Sequence, residues 1–219
     1  MKPIIALSIL SADFCRLAQE LETTASADWL HVDVMDGMFV PNLTLGVPIT
    51  ESLRKTTDKF MDVHLMIEKP VRFVETFAKA GAGMLTFHLE ADSPAGIRAA
   101  IDLADKLGVK KGVALRPITK AEAVVPYLKD IDMVLVMTVE PGFAGQKFMA
   151  DQLDTVRAVR KLIDQHNPNC RLEVDGGIDA TTIGAAFEAG ADTFVAGSSI
   201  FNKADRAKAI AELRGACHG

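Results

Sequence analysis

The sequence predicts an α/β fold built as a single (β/α)8 barrel of the TIM type, and three observations lead there. Eight short apolar segments recur along the 219 residues, at a spacing of roughly 25–30 residues that is close to the minimum for a strand–helix–strand unit. Several of the intervening segments have helical periodicity, which favours a parallel sheet. No Gly-x-Gly-x-x-Gly follows the first strand, so an open doubly wound sheet is the weaker alternative.

The predicted strands are short and rich in Val, Ile, Leu and Phe, as buried parallel strands usually are. They cover 4–9, 29–34, 60–65, 84–89, 111–116, 133–138, 171–176 and 193–198. Eight such units fit a closed barrel, whose usual length is about 250 residues. No linker, low-complexity tract or shift in composition interrupts the chain. We therefore expect one barrel domain over residues 1–219.

Two of the intervening segments repeat apolar residues at i, i+3, i+4 and i+7, the spacing of one helical face. Those residues are Phe14, Leu17, Ala18 and Leu21, and, more loosely, Leu153, Val156, Val159 and Ile163. A further helix is predicted within 179–190, where Asp179 can serve as the N-cap and Gly190 can end the helix.

Composition and charge exclude several classes of partner. The chain is 49% hydrophobic and 24% charged, with a net charge of −5 and a pI near 5.5. It has no dense Lys/Arg cluster, so a nucleic-acid partner is not expected. No apolar run approaches the roughly 18 residues of a membrane span, and the N-terminal apolar run is too short for a signal peptide and has no cleavage site. A small anionic ligand remains compatible with the charge.

The cysteines favour a reducing compartment. Cys15, Cys170 and Cys217 are odd in number and widely spaced, which fits neither a disulfide framework nor a thiolate zinc site. Free thiols are typical of the cytosol. We therefore expect a cytoplasmic protein.

Polar residues collect at the carboxyl ends of the predicted strands, where barrels of this type carry their function. His31 and Asp33 end the second strand, His64 the third and Asp175 the seventh. Residues two apart in a strand share a face, so His31 and Asp33 point the same way. Two imidazoles and two carboxylates suit one divalent ion such as Zn²⁺, Fe²⁺, Mn²⁺ or Co²⁺. The alternative is a hydrogen-bonded polar network within the core.

Three further polar residues share this inward parity or lie next to the site. His88 is expected beside the site or facing a substrate. Asp62 and Glu173 should lie one layer below, and buried carboxylates need partners. Glu173 could orient a metal ligand or bond only within the barrel, and we favour the second.

Glycine-rich segments follow three consecutive strands, at 141–146 (PGFAGQ), 175–177 (DGG) and 196–199 (AGSS). Glycines let backbone N–H groups approach an oxyanion, and the loops after strands 7 and 8 form the recurrent phosphate site of such barrels. Ser198 and Ser199 could open a short helix there. These segments indicate a phosphate site, with ordinary turns as the alternative.

Three methionines fall at or just past strand ends with inward parity: Met35, Met66 and Met137. Most methionines fill cores. At the barrel mouth these three could form an apolar wall that keeps water from a reacting group.

The motifs extend over nearly the whole chain. They are LSILSADF (7–14), HVDVMDGMFVPNLTLG (31–46), DVHLMIEKP (62–70), TFHLEA (86–91), MTVEPGFAGQKF (137–148), EVDGGI (173–178) and AGSSIF (196–201). Together they resemble the ribulose-phosphate 3-epimerase family. The resemblance implies a barrel of the ribulose-phosphate-binding type and an isomerase of carbohydrate metabolism, in the pentose phosphate pathway.

By that resemblance, His31, Asp33, His64 and Asp175 bind one divalent metal ion, and Asp33 and Asp175 are also the two catalytic acid/base groups. Ser8 and His64 match substrate contacts. The phosphate side is matched by Gly142, Phe143, Ala144, Gly145, Gly176, Gly177, Gly197 and Ser198. The expected reaction interconverts D-ribulose 5-phosphate and D-xylulose 5-phosphate at C3, through an enediolate that the metal stabilises. A homo-oligomer is also expected by resemblance.

Two positions depart from the family pattern. Ala144 replaces a glycine, as is common in the allulose-6-phosphate 3-epimerases, so that activity is an alternative. Arg116 replaces the commoner Asn or Lys, and its side chain could reach the phosphate rim or face solvent. A metal-dependent aldolase or decarboxylase on the same barrel is less favoured, since no inward lysine accompanies the aspartates. The non-enzymatic alternative is a barrel that only binds a sugar phosphate.

Overall fold

The computed structural model describes residues 2–217, which form a closed barrel of eight parallel strands in the order β1 to β8. The strands are β1 (Ile4–Ser8), β2 (Trp29–Met35), β3 (Phe60–Met66), β4 (Met84–His88), β5 (Lys110–Leu115), β6 (Met133–Met137), β7 (Arg171–Asp175) and β8 (Thr193–Ala196). β8 pairs with β1 and closes the barrel. The predicted (β/α)8 fold is confirmed.

The strands are buried on both faces because helices cover the outside and side chains fill the interior. All five residues of β6 are buried, for example. The helices are α1 (Leu17–Thr23), α2 (Val47–Thr56), α3 (Val74–Lys79), α4 (Pro94–Lys106), α5 (Gln152–His166), α6 (Ile183–Glu188), α7 (Ser198–Phe201) and α8 (Arg206–Ala216). Along α5, Val156, Val159 and Ile163 are buried, as the sequence pattern predicts.

The first predicted helix begins later than its apolar spacing suggests. Phe14 lies in a 3-10 turn, Phe14–Arg16, and is 48% exposed. The Asp13 carboxylate caps that turn by accepting a hydrogen bond from Cys15 N. The backbone of Arg16 is not helical, at φ −136° and ψ 30°. The regular helix therefore begins at Leu17, and the prediction that Phe14 belongs to it is wrong.

One strand connection has no α-helix among the described residues. Between β5 and β6 the chain forms two 3-10 turns, Ala121–Val124 and Leu128–Asp130. Pro126 lies between them, and a proline inside a helix removes a hydrogen bond and clashes with the preceding turn.

Asp179 caps its segment as predicted, although the regular helix α6 begins only at Ile183. Its carboxylate accepts hydrogen bonds from the backbone N–H groups of Thr181 and Thr182. Gly190 follows the helix with φ +109°, a conformation that glycine adopts without steric cost.

The pairing of the strands sets the height of each inward residue. Asp33 of β2 pairs with His64 of β3, and His31 pairs with Asp62 one layer below. Met137 of β6 pairs with Asp175 of β7. The carboxyl ends of β2, β3 and β7 thus present their polar side chains at one end of the barrel interior. Within residues 2–217, no helix is long and apolar enough to cross a membrane.

Candidate active site

Four side chains converge at the carboxyl end of the barrel: His31, Asp33, His64 and Asp175, referred to below as the His/Asp cluster. One ligand atom from each lies within 4.8 Å of all the others. Asp33 Oδ1 is 3.3 Å from His31 Nε2 and 3.3 Å from His64 Nδ1. Asp175 Oδ2 lies 3.9 and 3.7 Å from the same two nitrogens. The structure thus brings together all four residues that the sequence analysis assigned to a metal.

His31 is oriented from below. Its Nδ1 lies 2.7 Å from Asp62 Oδ2 in the fully buried layer under the cluster, so Nδ1 carries a proton and Nε2 faces Asp33. Glu173 Oε1 is farther away, at 3.9 Å from the same Nδ1. Burial, and next the Asp62 carboxylate, raise the pKa of Glu173 well above its usual value. Asp62 therefore orients His31, whereas Glu173 is a neutral neighbour within the barrel.

His64 is oriented from the side by His88. Its Nε2 lies 2.9 Å from His88 Nε2, and its Nδ1 faces the cluster. The opposite nitrogen of His88, Nδ1, lies 3.2 Å from Glu90 Oε2. One consistent arrangement of protons has His64 Nε2–H donating to His88 and His88 Nδ1–H donating to Glu90. Burial lowers the pKa of His88 to about 4, so its ring is neutral and can accept at Nε2.

The two aspartates of the cluster differ in their affinity for a proton. Burial disfavours ionisation of Asp33, but the charge of His31 and its hydrogen bond to Asp33 outweigh it and hold the Asp33 pKa far below its usual range. Burial and the nearby Asp33 charge raise the pKa of Asp175 to about 6. The pKa of His31 is well above its usual value, because the Asp33 and Asp62 carboxylates outweigh its burial. Asp33 is therefore the ionised carboxylate of the pair.

The donor set of the cluster fits a divalent metal ion. Two imidazole nitrogens and two carboxylate oxygens face one point, and each imidazole has a partner on its other nitrogen, as metal-bound histidines usually do. Carboxylates and imidazoles that are packed this closely and buried also need a compensating charge. Such mixed N/O ligation does not select one element.

A pocket opens above the cluster. Ser8, Asp33 and Asp175 reach its floor. His64, which was also predicted to contact the substrate, pairs with Asp33 at the same level of the barrel but is fully buried and is not among the residues that line the pocket. Ser8 Oγ donates a hydrogen bond of 2.7 Å to Asp33 Oδ2. The other residues with a predicted substrate role that line this pocket are Met35, Met66, Met137, Gly142, Phe143, Ala144, Gly145, Gly176, Gly177, Gly197 and Ser198.

The glycine-rich loops form the far wall of this pocket. Gly177 has φ +66°, and a Cβ at this position would lie 2.4 Å from the backbone nitrogen of Phe148. Only glycine therefore lets the chain after β7 approach the chain after β6 so closely. Helix α7 begins at Ser198, as predicted. These loops are built for a close approach of backbone to a bound group.

The methionines form the apolar wall expected of them. Met35 and Met66 cluster with Val40, and Leu10 and Phe39 pack against this group. Met137 clusters separately with Leu135 and Val139, on the other side of the mouth. All three methionines are buried and border the pocket.

Sequence reasoning missed several residues that border or support the pocket. Ser11 and Gln146 line it, together with Leu10, Val139, Pro141 and Val195. Ser11 lies in the motif at 7–14 and Gln146 in the motif at 137–148. Their polar side chains within these motifs are the signal that could have identified them. Asp62 was expected in the lower layer, but its contact with His31 depends on the strand pairing, which the sequence does not display.

Arg116 takes neither of the two positions considered for it. Its guanidinium donates a 2.7 Å hydrogen bond to the carbonyl oxygen of Phe39 and lies 4.3 Å from the centre of the Phe39 ring. It therefore contacts the loop after β2 instead of a phosphate rim or bulk solvent. The Phe39 ring in turn lies 4.8 Å from the His88 ring.

Comparison with solved structures agrees with the architecture. A 3-hexulose-6-phosphate synthase from Salmonella typhimurium matches with a TM-score of 0.74, covering 100% of this chain and 99% of that chain at 20% identity. A 3-keto-L-gulonate-6-phosphate decarboxylase from Vibrio cholerae matches with a TM-score of 0.76, covering 100% and 98% at 18% identity. Identities this low show the shared fold alone.

The sequence relatives are much nearer. The chain is 51% identical to a ribulose-phosphate 3-epimerase of Mycobacterium bovis over 213 residues, covering 97% of this chain and 92% of the relative. It is 47% identical to the cytoplasmic isoform of ribulose-phosphate 3-epimerase from Oryza sativa, covering 98% and 94%. The model of the ribulose-phosphate 3-epimerase family matches residues 4–201. This protein therefore belongs to the ribulose-phosphate 3-epimerase family.

Proposed function

We propose that this protein is an isomerase that reversibly converts D-ribulose 5-phosphate to D-xylulose 5-phosphate by inverting C3. The observation that carries the proposal is the placement of Asp33 and Asp175, two carboxyl groups from different strands that meet at the floor of one pocket. Pure binding of a sugar phosphate needs no such pair. An enzyme that moves a proton needs one group able to accept it and one able to donate it.

The His/Asp cluster would hold one divalent ion, Zn²⁺, Fe²⁺, Mn²⁺ or Co²⁺. When bound, such an ion acts as a Lewis acid that stabilises the negative charge developing on oxygens next to C3. His31 Nε2 and His64 Nδ1 point toward the shared centre because Asp62 and His88 engage their other nitrogens. The protein thereby presents these donors already oriented.

Asp33 and Asp175 would serve as the two acid/base groups. C3 lies beside the C2 carbonyl, so removal of its proton gives a planar enediolate, and inversion requires reprotonation from the other face. The two aspartates come from β2 and β7, which are separated by β1 and β8 around the barrel. One of the two, in its ionised form, would accept the proton on one face, and the other, in its protonated form, would return one on the other. In the reverse direction the roles exchange.

The rest of the pocket would position the substrate. The Ser8 hydroxyl fixes the Asp33 carboxylate through its hydrogen bond. The phosphate would bind at the glycine-rich loops that carry Gly177 and Gly197, so its binding energy would help to place C3 between the aspartates. Met35, Met66 and Met137 would limit water around the reacting atoms and so strengthen electrostatic interactions there.

The wider assignments belong to the same proposal: a single domain over residues 1–219, a cytoplasmic location and a homo-oligomer. A sugar phosphate is the expected small-molecule partner, and neither nucleic acid nor membrane is expected. The acidic composition supports the absence of a nucleic-acid partner, and the cytoplasmic isoform among the relatives supports the location; the homo-oligomer rests on the family resemblance alone.

Deuterium incorporation tests the reaction directly. Protein loaded with Mn²⁺ or Co²⁺ is incubated with D-ribulose 5-phosphate in deuterated water, and the products are followed by NMR. We expect D-xylulose 5-phosphate with deuterium at C3 and no loss of carbon. A parallel reaction with allulose 6-phosphate measures the preference for sugar length, which Ala144 brings into question. Metal-loaded protein that leaves both sugars unchanged would contradict the proposal and favour a binding function.

A further inference from the structure

The loop between β2 and α2, residues 36–46, covers one side of the pocket and is fastened at both ends. At its start, Asp36 Oδ1 accepts hydrogen bonds from the backbone N–H groups of Met38 and Phe39. Asp36 Oδ2 accepts one from the backbone N–H of Glu68. Near its end, the Thr44 hydroxyl donates to the Asp33 carbonyl and accepts from Met35 N. In the middle of the loop, the Asn42 side-chain amide donates a 2.9 Å hydrogen bond to the Gly142 carbonyl oxygen, and Phe39 is contacted separately by Arg116.

We propose that Arg116 holds Phe39 in place and is a positioning residue for the reaction: its side chain presses Phe39 against His88, and His88 in turn keeps the His64 imidazole oriented toward the His/Asp cluster. The proposal rests on the proposed function only in giving His64 a role in the chemistry. The clamp itself is a property of the protein's own side chains.

The contacts form a closed circuit around His88. The Arg116 guanidinium binds the carbonyl and the ring of Phe39. The Phe39 ring lies against His88 at 4.8 Å between centres. His88 Nδ1 pairs with Glu90 Oε2, and Glu90 Oε1 accepts a 3.0 Å hydrogen bond from the backbone nitrogen of Arg116. The Arg116 side chain therefore holds Phe39 against the His88 ring, whereas its backbone N–H holds the carboxylate that fixes His88 Nδ1. Arg116→Ala removes only the first of these contacts.

The circuit reaches the cluster through one contact. His88 Nε2 lies 2.9 Å from His64 Nε2, and the two rings lie 5.0 Å apart at a tilt of 29°. A rotation of His88 would therefore remove the hydrogen bond that orients His64. Groups that orient a ligand in this indirect way commonly affect a site by about 10- to 100-fold.

Arginine suits this position better than the residues it replaces. A guanidinium can lie flat on an aromatic ring while its N–H groups donate sideways to a carbonyl. Lysine retains the charge and a donor but does not stack in this way. Asparagine is too short to span from the end of β5 to Phe39 with the same contacts.

A matched arginine elsewhere in the barrel provides the control. Arg98 donates a 2.6 Å hydrogen bond to the Pro126 carbonyl and lies 5.1 Å from the Tyr127 ring. It thus makes the same two kinds of contact, and in addition a 2.6 Å ion pair with Asp130 Oδ2, but on helix α4, away from the His/Asp cluster. Arg98→Ala should remove these interactions and the ion pair without touching the contacts around His88.

Hydrogen–deuterium exchange on metal-free protein is the first test, because it does not depend on activity. Arg116→Ala should speed amide exchange in residues 36–46 by about tenfold relative to wild type, while exchange in β6 stays unchanged. Arg116→Lys should give an intermediate rate, and Arg98→Ala the wild-type rate in this loop. Unchanged loop exchange in Arg116→Ala would overturn the proposal. Phe39→Leu provides a second route to the same result if Arg116→Ala does not fold.

Steady-state kinetics of the metal-loaded proteins then separates positioning from a merely structural role. Arg116→Ala should lower kcat by about tenfold with little change in KM, because the phosphate-side loops are untouched, and Arg116→Lys should restore part of kcat. A mobile loop with wild-type kcat would overturn the positioning role. If wild-type protein itself lacks epimerase activity, the proposed function fails while the exchange result still decides whether the clamp exists.

Discussion

Asp62 Oδ2 lies 2.7 Å from His31 Nδ1 in the fully buried layer beneath the His/Asp cluster. The contact fixes which nitrogen of His31 carries the proton, and it turns Nε2 toward Asp33. It also makes the imidazole a stronger metal ligand, because a carboxylate partner raises the basicity of the ring. A residue outside the pocket thus shapes the chemistry at its floor.

The first prediction concerns this pair. Asp62→Asn should weaken binding of Mn²⁺ or Co²⁺ by about 10- to 100-fold, because the amide neither holds the imidazole as firmly nor polarises it. Calorimetric titration of the metal into metal-free protein measures the change. Asp192→Asn is the control, since Asp192 is also a buried carboxylate but pairs with Arg171. Equal metal affinity in wild type and Asp62→Asn would contradict the orienting role.

The second prediction concerns the two aspartates. Asp33→Asn and Asp175→Asn should each lower kcat by roughly 10²- to 10⁴-fold, because an amide can neither accept nor return the C3 proton. The fold should survive, since asparagine has the same shape, and circular dichroism checks this. Metal content is measured for each variant to separate proton transfer from metal loss. Asp58→Asn, at an exposed position, should retain full activity; a near wild-type rate in either site variant would refute the assignment.

The third prediction concerns pH. In the metal-free protein the pKa of Asp175 is raised to about 6 and the pKa of His31 lies well above its usual value. Both groups hold protons that a bound metal must displace, so metal affinity should rise with pH. The Asp175 proton alone predicts about a tenfold gain between roughly pH 5 and 7, and His31 adds to it.

Titration with Co²⁺ at several pH values, monitored by its visible absorption, measures this dependence. Circular dichroism at each pH confirms that the protein stays folded. An affinity that is constant across this pH interval would contradict the prediction, because it would show that Asp175 holds no proton for the metal to displace.

The barrel and much of its floor follow from the sequence because strand periodicity is a strong signal. Alternation along β2 places His31 and Asp33 on one face, and closure of the barrel brings strands 2, 3 and 7 together. The match of the chain to known motifs adds roles for Ser8 and the glycine-rich loops. None of these predictions requires the register between neighbouring strands to be known.

What could not be predicted depends on pairing and on loop geometry. The Asp62–His31 contact follows from the pairing of β2 with β3, which the sequence of neither strand displays. The destination of the Arg116 side chain depends on the path of residues 36–46, where no periodicity applies. The apolar spacing predicts Phe14 within a helix because spacing alone does not reveal that Asp13 caps a separate turn.

The last prediction concerns Gly177, where the chain after β7 passes the chain after β6. A Cβ here would lie 2.4 Å from Phe148 N and 2.6 Å from its Cα, and the φ of +66° is strained for any residue with a side chain. Gly177→Ala should therefore push apart the two loops that are proposed to hold the phosphate. We expect KM for the sugar phosphate to rise by about tenfold or more, and the thermal midpoint to fall by several degrees. Gly215→Ala is the matched control, because a Cβ there meets nothing within 4 Å and alanine favours the helix, so stability should be equal or higher. If Gly177→Ala keeps the wild-type KM while Gly215→Ala behaves as expected, the phosphate does not depend on the close approach of these loops.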